Sequence, residues 1–227
     1  MSARLIRLQA APDLVERVYG ALLDAISEGS LAPGARITQE EIALQLAVSR
    51  QPVLQALQLL RKDGLVKGAP GRGVVVAPLE PGWIADVYEV RGALDMLAAR
   101  LAAERGASID PKYVEQGRRA ARGRSIRAMI EADMAFHNAI YAASGNPLVG
   151  QSARVHWVHL RRVMGAALRS SRQRETVWNE HEAIAEAIGA GDAKRAERLI
   201  GQHARQASEA LLARLAQVLE FPLESTP

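Results

Sequence analysis

The chain of 227 residues contains no cysteine, which excludes a disulfide framework, a thiolate zinc site, an iron–sulfur cluster and a cysteine nucleophile. Aromatic residues make up only 4%, so a core has to be built from Ala, Leu, Val and Ile, as in helical proteins. No apolar run approaches the roughly 18 residues of a membrane span. Charges interrupt the opening stretch MSARLIRLQAAPDLVERV throughout, so it does not read as a signal peptide, and a cytoplasmic location is expected. There is also no strong excess of one charge. Lys and Arg total 29 against 25 Asp and Glu, a net +4; residues 1–78 hold 9 against 7 and the remainder 20 against 18. Charge totals therefore point to no nucleic-acid surface. Arg far outnumbers Lys, which suits bidentate contacts to guanine, phosphate or carboxylate, but a GC-rich genome produces the same bias. The length accommodates one large domain or two modest ones.

Two regions read differently. Apolar residues recur at helical spacing through Leu14, Val18, Ala21, Leu22, Ala25 and Ile26, after which Gly29, Pro33 and Gly34 break the pattern. Thr38-Gln-Glu-Glu41 then carries a capping box, and a short helix to about Leu46 places Ile42, Ala43 and Leu46 inward. Ala47-Val48 turns the chain. Ser49 can cap a third helix, with Pro52 in its first turn and an apolar stripe of Val53, Leu54, Leu57, Leu60 and Leu65. The segment Val66-Lys-Gly-Ala-Pro-Gly-Arg-Gly-Val-Val-Val76 reads as a β-hairpin with a Pro/Gly tip. Three helices and a hairpin make a winged helix-turn-helix over residues 1–78.

In such a module the start of the third helix enters the major groove. Arg50 there can bond a guanine edge, Gln51 and Gln55 can read adenine, and Ser49 at the helix N-terminus can meet a phosphate. Thr38 and Arg36 join the DNA-facing set. Arg72, between two glycines on the hairpin, can approach the backbone or the minor groove. Protein docking is the competing use of such a triad.

The run Ile37-Thr-Gln-Glu-Glu-Ile-Ala-Leu-Gln-Leu-Ala-Val-Ser-Arg-Gln-Pro-Val-Leu-Gln-Ala-Leu-Gln-Leu-Leu-Arg-Lys-Asp-Gly-Leu-Val66 resembles the DNA-binding domain of GntR-family bacterial transcriptional regulators. Of three places where the family commonly has a DNA-contacting arginine, this chain keeps Arg50, with Glu40 and Leu54 at the others. The resemblance thus implies an altered operator, with Gln51, Gln55 and Arg36 carrying more of the readout.

Beyond a linker at 79–81, residues 82–227 read as all-α: an antiparallel bundle of about six helices at 82–105, 110–122, 125–143, 147–171, 175–190 and 192–219. Asp110-Pro111, Ser144-Gly-Asn-Pro147 and Gly189-Ala-Gly-Asp192 mark ends. Asp133 and His137 are spaced i, i+4 and share a helix face. His181 and His203 fall on two further helices. Three imidazoles and a carboxylate converging in a bundle suit a divalent transition metal such as Zn, Ni or Mn; by spacing alone, each histidine reads sooner as an ordinary polar residue than as a ligand. His156 and His159 read as a partly exposed face, His159 also as a possible cavity residue. The arginines at 118, 119, 122, 124 and 127 read as a solvated face, and Arg161, Arg162 and Arg169 as either.

Asp133-Met-Ala-Phe-His137, Ala143-Ser-Gly-Asn-Pro-Leu148 and Glu180-His181…His203 are similar to the FCD ligand-binding domain of the FadR-like branch of that family. The resemblance implies that Asp133, His137, His181 and His203 bind a metal whose open positions take an effector carboxylate or water. It also implies that Arg91 faces the pocket; a buried Arg there pairs with either an effector carboxylate or an internal acid. The reading is a homodimeric regulator binding two half-sites of double-stranded DNA under control of a small, carboxylate-bearing metabolite. Its alternatives are a metal-free pocket with structural histidines, or a metal-dependent hydrolase. Against the hydrolase, no acid is placed as general base and an enzyme has no use for the winged module.

Overall fold

A computed structural model describes residues 14–70, 73–168 and 176–220. Two compact units divide the chain, Met1–Ile26 with Leu31–Ala77, and Ser27–Ser30 with Pro78–Pro227.

The first unit contains α1 (Leu14–Glu28), β1 (Arg36–Ile37), α2 (Gln39–Gln45), α3 (Arg50–Lys62), β2 (Val66–Gly68) and β3 (Val74–Val76). Its core is Val18, Leu22 and Leu23 of α1, Ile42, and Val53, Leu57 and Leu60 of α3. The helix stripes fall close to their expected registers. In α1, however, Leu23 is buried, whereas Ala21 is exposed and Leu14 is 37% exposed. Leu46 is not inward as expected but 37% exposed, because α2 ends before it and it serves as C-cap. The capping box is present: Thr38 Oγ1 accepts from the Glu41 amide, and Glu41 accepts from the Thr38 amide at 2.9 Å. Ala47 makes the helix-turn-helix bend at φ 51°, in the left-handed region that a β-carbon disfavours. The hairpin gains a third strand unforeseen in the sequence: β1 pairs antiparallel with β3, giving the order β1-β3-β2. Two residues are too short for an alternating pattern to register. Gly73 is required there, since at φ +134° its β-carbon would lie 2.8 Å from the Ile37 carbonyl oxygen.

The second unit is helical: α4 (Pro81–Glu104), α5 (Lys112–Arg122), α6 (Ile126–Ala143), α7 (Pro147–Leu168), α8 (Thr176–Gly189) and α9 (Ala193–Glu220). The expected punctuation at Asp110, Asn146 and Asp192 acts as caps, and Ser125 adds one that the sequence did not announce. Asp110 accepts from the Lys112 amide at 2.9 Å, Ser125 from Ala128 at 3.1 Å, Asn146 from Leu148 at 3.1 Å and Asp192 from Arg195 at 3.0 Å. α4 packs along α9, and the helices approach closely at Gly92, where an added β-carbon would lie 3.5 Å from that of Ala204. Gly117 of α5 lies so close to the Trp178 ring of α8 that any side chain there would displace it.

Candidate metal centre and DNA-facing surface

At the first unit's surface, Arg50 is the first residue of α3 and is exposed, its guanidinium 3.3 Å from Glu40 on α2. Gln51 and Gln55 are exposed one helical turn apart. Ser49 occupies the N-cap in extended backbone, but its hydroxyl makes no capping bond. The expected side-chain cap is therefore not made, and the hydroxyl and helix start are open to an anion. Thr38's hydroxyl is engaged with Glu41. Arg36 donates to the Pro70 carbonyl at 3.0 Å, joining β1 to the hairpin end. Arg72 and Arg169 lie outside the described residues.

The second unit brings four sequence-distant groups together. Asp133 and His137 project from one face of α6, His181 comes from α8 and His203 from α9; all four are buried, and one ligand atom from each lies within 4.8 Å of the others. His181 Nε2 is 3.3 Å from His203 Nε2 and 3.5 Å from Asp133 Oδ1. A tetrahedral shell with bonds of about 2.1 Å would space its ligands by roughly 3.4 Å. Phe136, fully buried, stacks on His181 at 4.3 Å, and Trp178 meets the same ring edge-on at 4.6 Å.

The electrostatics favour the neutral imidazole at His181 and at His137. Burial, reinforced by the His203, His137 and Arg91 charges, holds His181 well below its ordinary range. Burial and Arg91 also lower His137, against the opposing pull of Asp95. Neutral imidazole is the form that binds metal. Both ring nitrogens of His137 and Nδ1 of His181 lack hydrogen-bond partners among the described residues. Such orphaned buried groups cost about 1–3 kcal/mol each, and a cation at the centre would satisfy one on His137. The donor set, three imidazoles and a carboxylate, fits a divalent transition ion.

Two acids sit behind the histidines. Glu180 Oε2 accepts from His203 Nδ1 at 2.8 Å. Asp95 Oδ1 lies 3.6 Å from His137 Nδ1, accepts from the Tyr141 hydroxyl at 2.5 Å, and the same carboxylate is 3.0 Å from Arg91 Nε. Burial alone would raise Asp95, but Arg91 and His137 more than offset this and hold its pKa down to about 2. Arg91 is 2% exposed, its guanidinium 4.3 Å over the Trp157 ring. Its Nη2 has no partner among the described residues. Arg91, Asp133, Glu180, His203 and Arg214 line a cavity of about 290 Å³, with Met129 and Leu211 among its apolar walls.

The sequence reading missed Glu180 and Asp95. Each had a local signal: Glu180 directly precedes a ligand-type histidine, and Asp95 lies one turn after an arginine on an apolar helix. His159 does not line the cavity; it packs edge-on against Trp83 at 4.1 Å. The arginines at 119, 122, 124 and 127 are exposed as expected, while the half-buried Arg118 reaches Asn179 and Glu182 of α8. Arg162 is buried, which lowers its pKa to about 10.

A winged helix-turn-helix, followed along the chain by a helical unit whose cavity is lined by both charged and apolar side chains, defines a DNA-binding transcriptional regulator with an effector domain. The chain belongs to the GntR family: residues 14–76 match the bacterial regulatory proteins of the gntR family, and residues 86–206 match the FCD domain. The members are DNA-binding regulators and not enzymes. It is 29% identical over 193 residues to an HTH-type transcriptional regulator in an unstable DNA locus of Streptomyces ambofaciens, covering 83% of this chain and 80% of that protein. It is 28% identical to the HTH-type regulator YdhC of Bacillus subtilis, covering 82% and 85%. A GntR regulator from Rhodococcus sp. RHA1 superposes with a TM-score of 0.73 at 27% identity, over 89% of this chain and 99% of that one. Escherichia coli McbR/YncC shares the fold, with a TM-score of 0.78 at 21% identity over 91% and 100%. No helix among the described residues is long and apolar enough to cross a membrane.

Proposed function

We propose that this regulator is a metal-dependent sensor of a small carboxylate, in which residues 82–227 bind metal and effector and residues 1–78 bind the operator. The observation that carries the reading is the buried Asp133–His137–His181–His203 cluster, which meets a cavity through Asp133 and His203; Arg91, whose Nη2 is buried without a hydrogen-bond partner among the described residues, lines the same cavity. The four side chains would hold Zn, Ni or Mn, and the ion would supply Lewis acidity to an effector oxygen. Arg91 would fork a carboxylate through Nη2 while Nε stays with Asp95. At the operator, Arg50, Gln51 and Gln55 read base edges; Ser49 and Arg72 meet the backbone, with Arg36 and Thr38 supporting the surface.

A homodimer follows from the small number of base contacts one module can make, since two half-sites are then needed. Trp83 and Val90 on α4, together with Leu148 and Val155 on α7, are large apolar side chains 43–65% exposed on adjoining helices, the kind of surface a second copy covers. The test measures metal content, any small acid released on denaturation, and operator binding before and after chelation. Protein that carries no metal, and whose melting ignores added Zn, Ni and Mn, would refute the metal reading and leave a metal-free pocket.

A further inference from the structure

We infer that Glu180 is a positioning residue for the metal centre, and the group through which the contents of the cavity act on the ion. The inference rests on the metal reading above. His203 has two ring nitrogens, and only one can face the other ligands. Glu180 Oε2, 2.8 Å from Nδ1, accepts a hydrogen bond there and so keeps the ring's proton on Nδ1. Nε2 is then a lone pair directed at His181 Nε2, 3.3 Å away. Without an acceptor at Nδ1 the imidazole is free to place its proton on Nε2, where it blocks coordination. An acidic partner also raises the basicity of the ligand nitrogen, and removing such a partner typically costs 10–100-fold in metal affinity.

The position of Glu180 separates it from the other acid behind the cluster. Asp95 is fully buried and locked to Arg91 and Tyr141. Glu180 is 39% exposed and lines the cavity together with Arg91 and Asp133. A molecule that offers a hydrogen-bond donor to Glu180, such as a hydroxyl or ammonium group, would compete with His203 for the same carboxylate. Cavity occupancy and metal affinity are thereby linked, and the linkage is reciprocal. Because the side chain is 39% exposed, its replacement opens no cavity in the core.

The experiment uses the full chain, stripped of metal, and Zn as the probe, with affinity read by competition against a chromophoric chelator. Glu180→Ala is expected to weaken Zn binding 10–100-fold. Glu180→Gln, whose amide oxygen still accepts from Nδ1, is expected to recover most of that loss. The melting temperature of the metal-free protein is expected to be lower in Glu180→Ala by no more than one lost hydrogen bond accounts for, while the Zn-induced rise, read against each variant's own metal-free value, shrinks in Glu180→Ala at equal added Zn. A Zn affinity within threefold of wild type in Glu180→Ala overturns the inference, as does failure of Glu180→Gln to recover any affinity. Wild-type protein that takes up no Zn, Ni or Mn overturns the metal centre itself, and the inference with it.

Discussion

His181→Ala tests the metal centre most directly. His181 is fully buried, contributes Nε2 to the cluster and stacks on Phe136 at 4.3 Å. Two effects of the substitution have to be separated. Deleting the ring leaves a cavity against Phe136 and Trp178, which costs on the order of 2–4 kcal/mol. Removing a buried imidazole whose Nδ1 has no partner returns part of this, about 1–3 kcal/mol. The metal-free stability can therefore move either way and decides nothing. The metal-induced increment is diagnostic. Free metal at 100 times its dissociation constant stabilises the folded state by about 2.7 kcal/mol. For a helical unit of this size that corresponds to a rise of about 5–10 °C in melting temperature. Wild-type protein should show this rise on adding Zn, and His181→Ala should show almost none at the same concentration. Differential scanning calorimetry of both proteins, metal-free and loaded, gives the four temperatures required. A rise in His181→Ala equal to that of wild type would refute the centre, because it would place the stabilising ion elsewhere.

Arg50→Ala should cost about 1–3 kcal/mol per half-site, relaxing preference at one base pair in each, whereas Arg72→Ala should weaken all sequences alike and reduce the salt slope by about one counterion. Duplexes selected from a random library and scrambled controls, titrated at several salt concentrations, check both; equal loss on both DNAs would make Arg50 a positioning residue. Ala47→Gly should stabilise the first unit by roughly 0.5–1 kcal/mol, because it relieves the left-handed φ of 51°; an unchanged or lower urea midpoint contradicts this. Metal-free protein should lose stability as the pH falls below about 6.5. His137 and His181 are held below that value in the folded state, so the unfolded chain binds more protons there. The slope should reach about 1.4 kcal/mol per pH unit for each histidine, and a flat profile in urea unfolding between pH 7.5 and 5.5 would contradict it.

The helices were legible because their signals are local. Thr38, Asp110, Asn146 and Asp192 are capping residues within a few positions of what they cap, and the apolar stripes repeat within one turn. The pairing of β1 with β3 was not, because it depends on contacts across about 40 residues and leaves only two positions to carry a pattern. At the candidate site, the i, i+4 spacing of Asp133 and His137 announced a shared face. The convergence with His181 and His203 came from family resemblance, since spacings of 44 and 22 residues carry no geometric information. Glu180 and Asp95 went unnoticed for a different reason. Acidic residues on helices are abundant, and only the buried partner distinguishes one that orients a histidine from one that faces water. Arg91 shows the limit of an either/or reading, since its Nε meets the internal acid Asp95 while the residue also lines the cavity.

The four ligand positions also impose an order in time. Asp133 and His137 share a helix and are adjacent as soon as α6 winds, but His181 arrives two helices later and His203 only in the last. During synthesis the growing chain can offer an ion at most a weak two-point site until α9 has emerged and docked along α4. Completed coordination would then mark the moment at which the bundle closes. A chain truncated before residue 203 would lose a ligand and, with it, the clasp between the last helix and the rest. An ion held by the proposed ligands would in this way fasten α9 to the rest of the helical unit as well as serve a sensor.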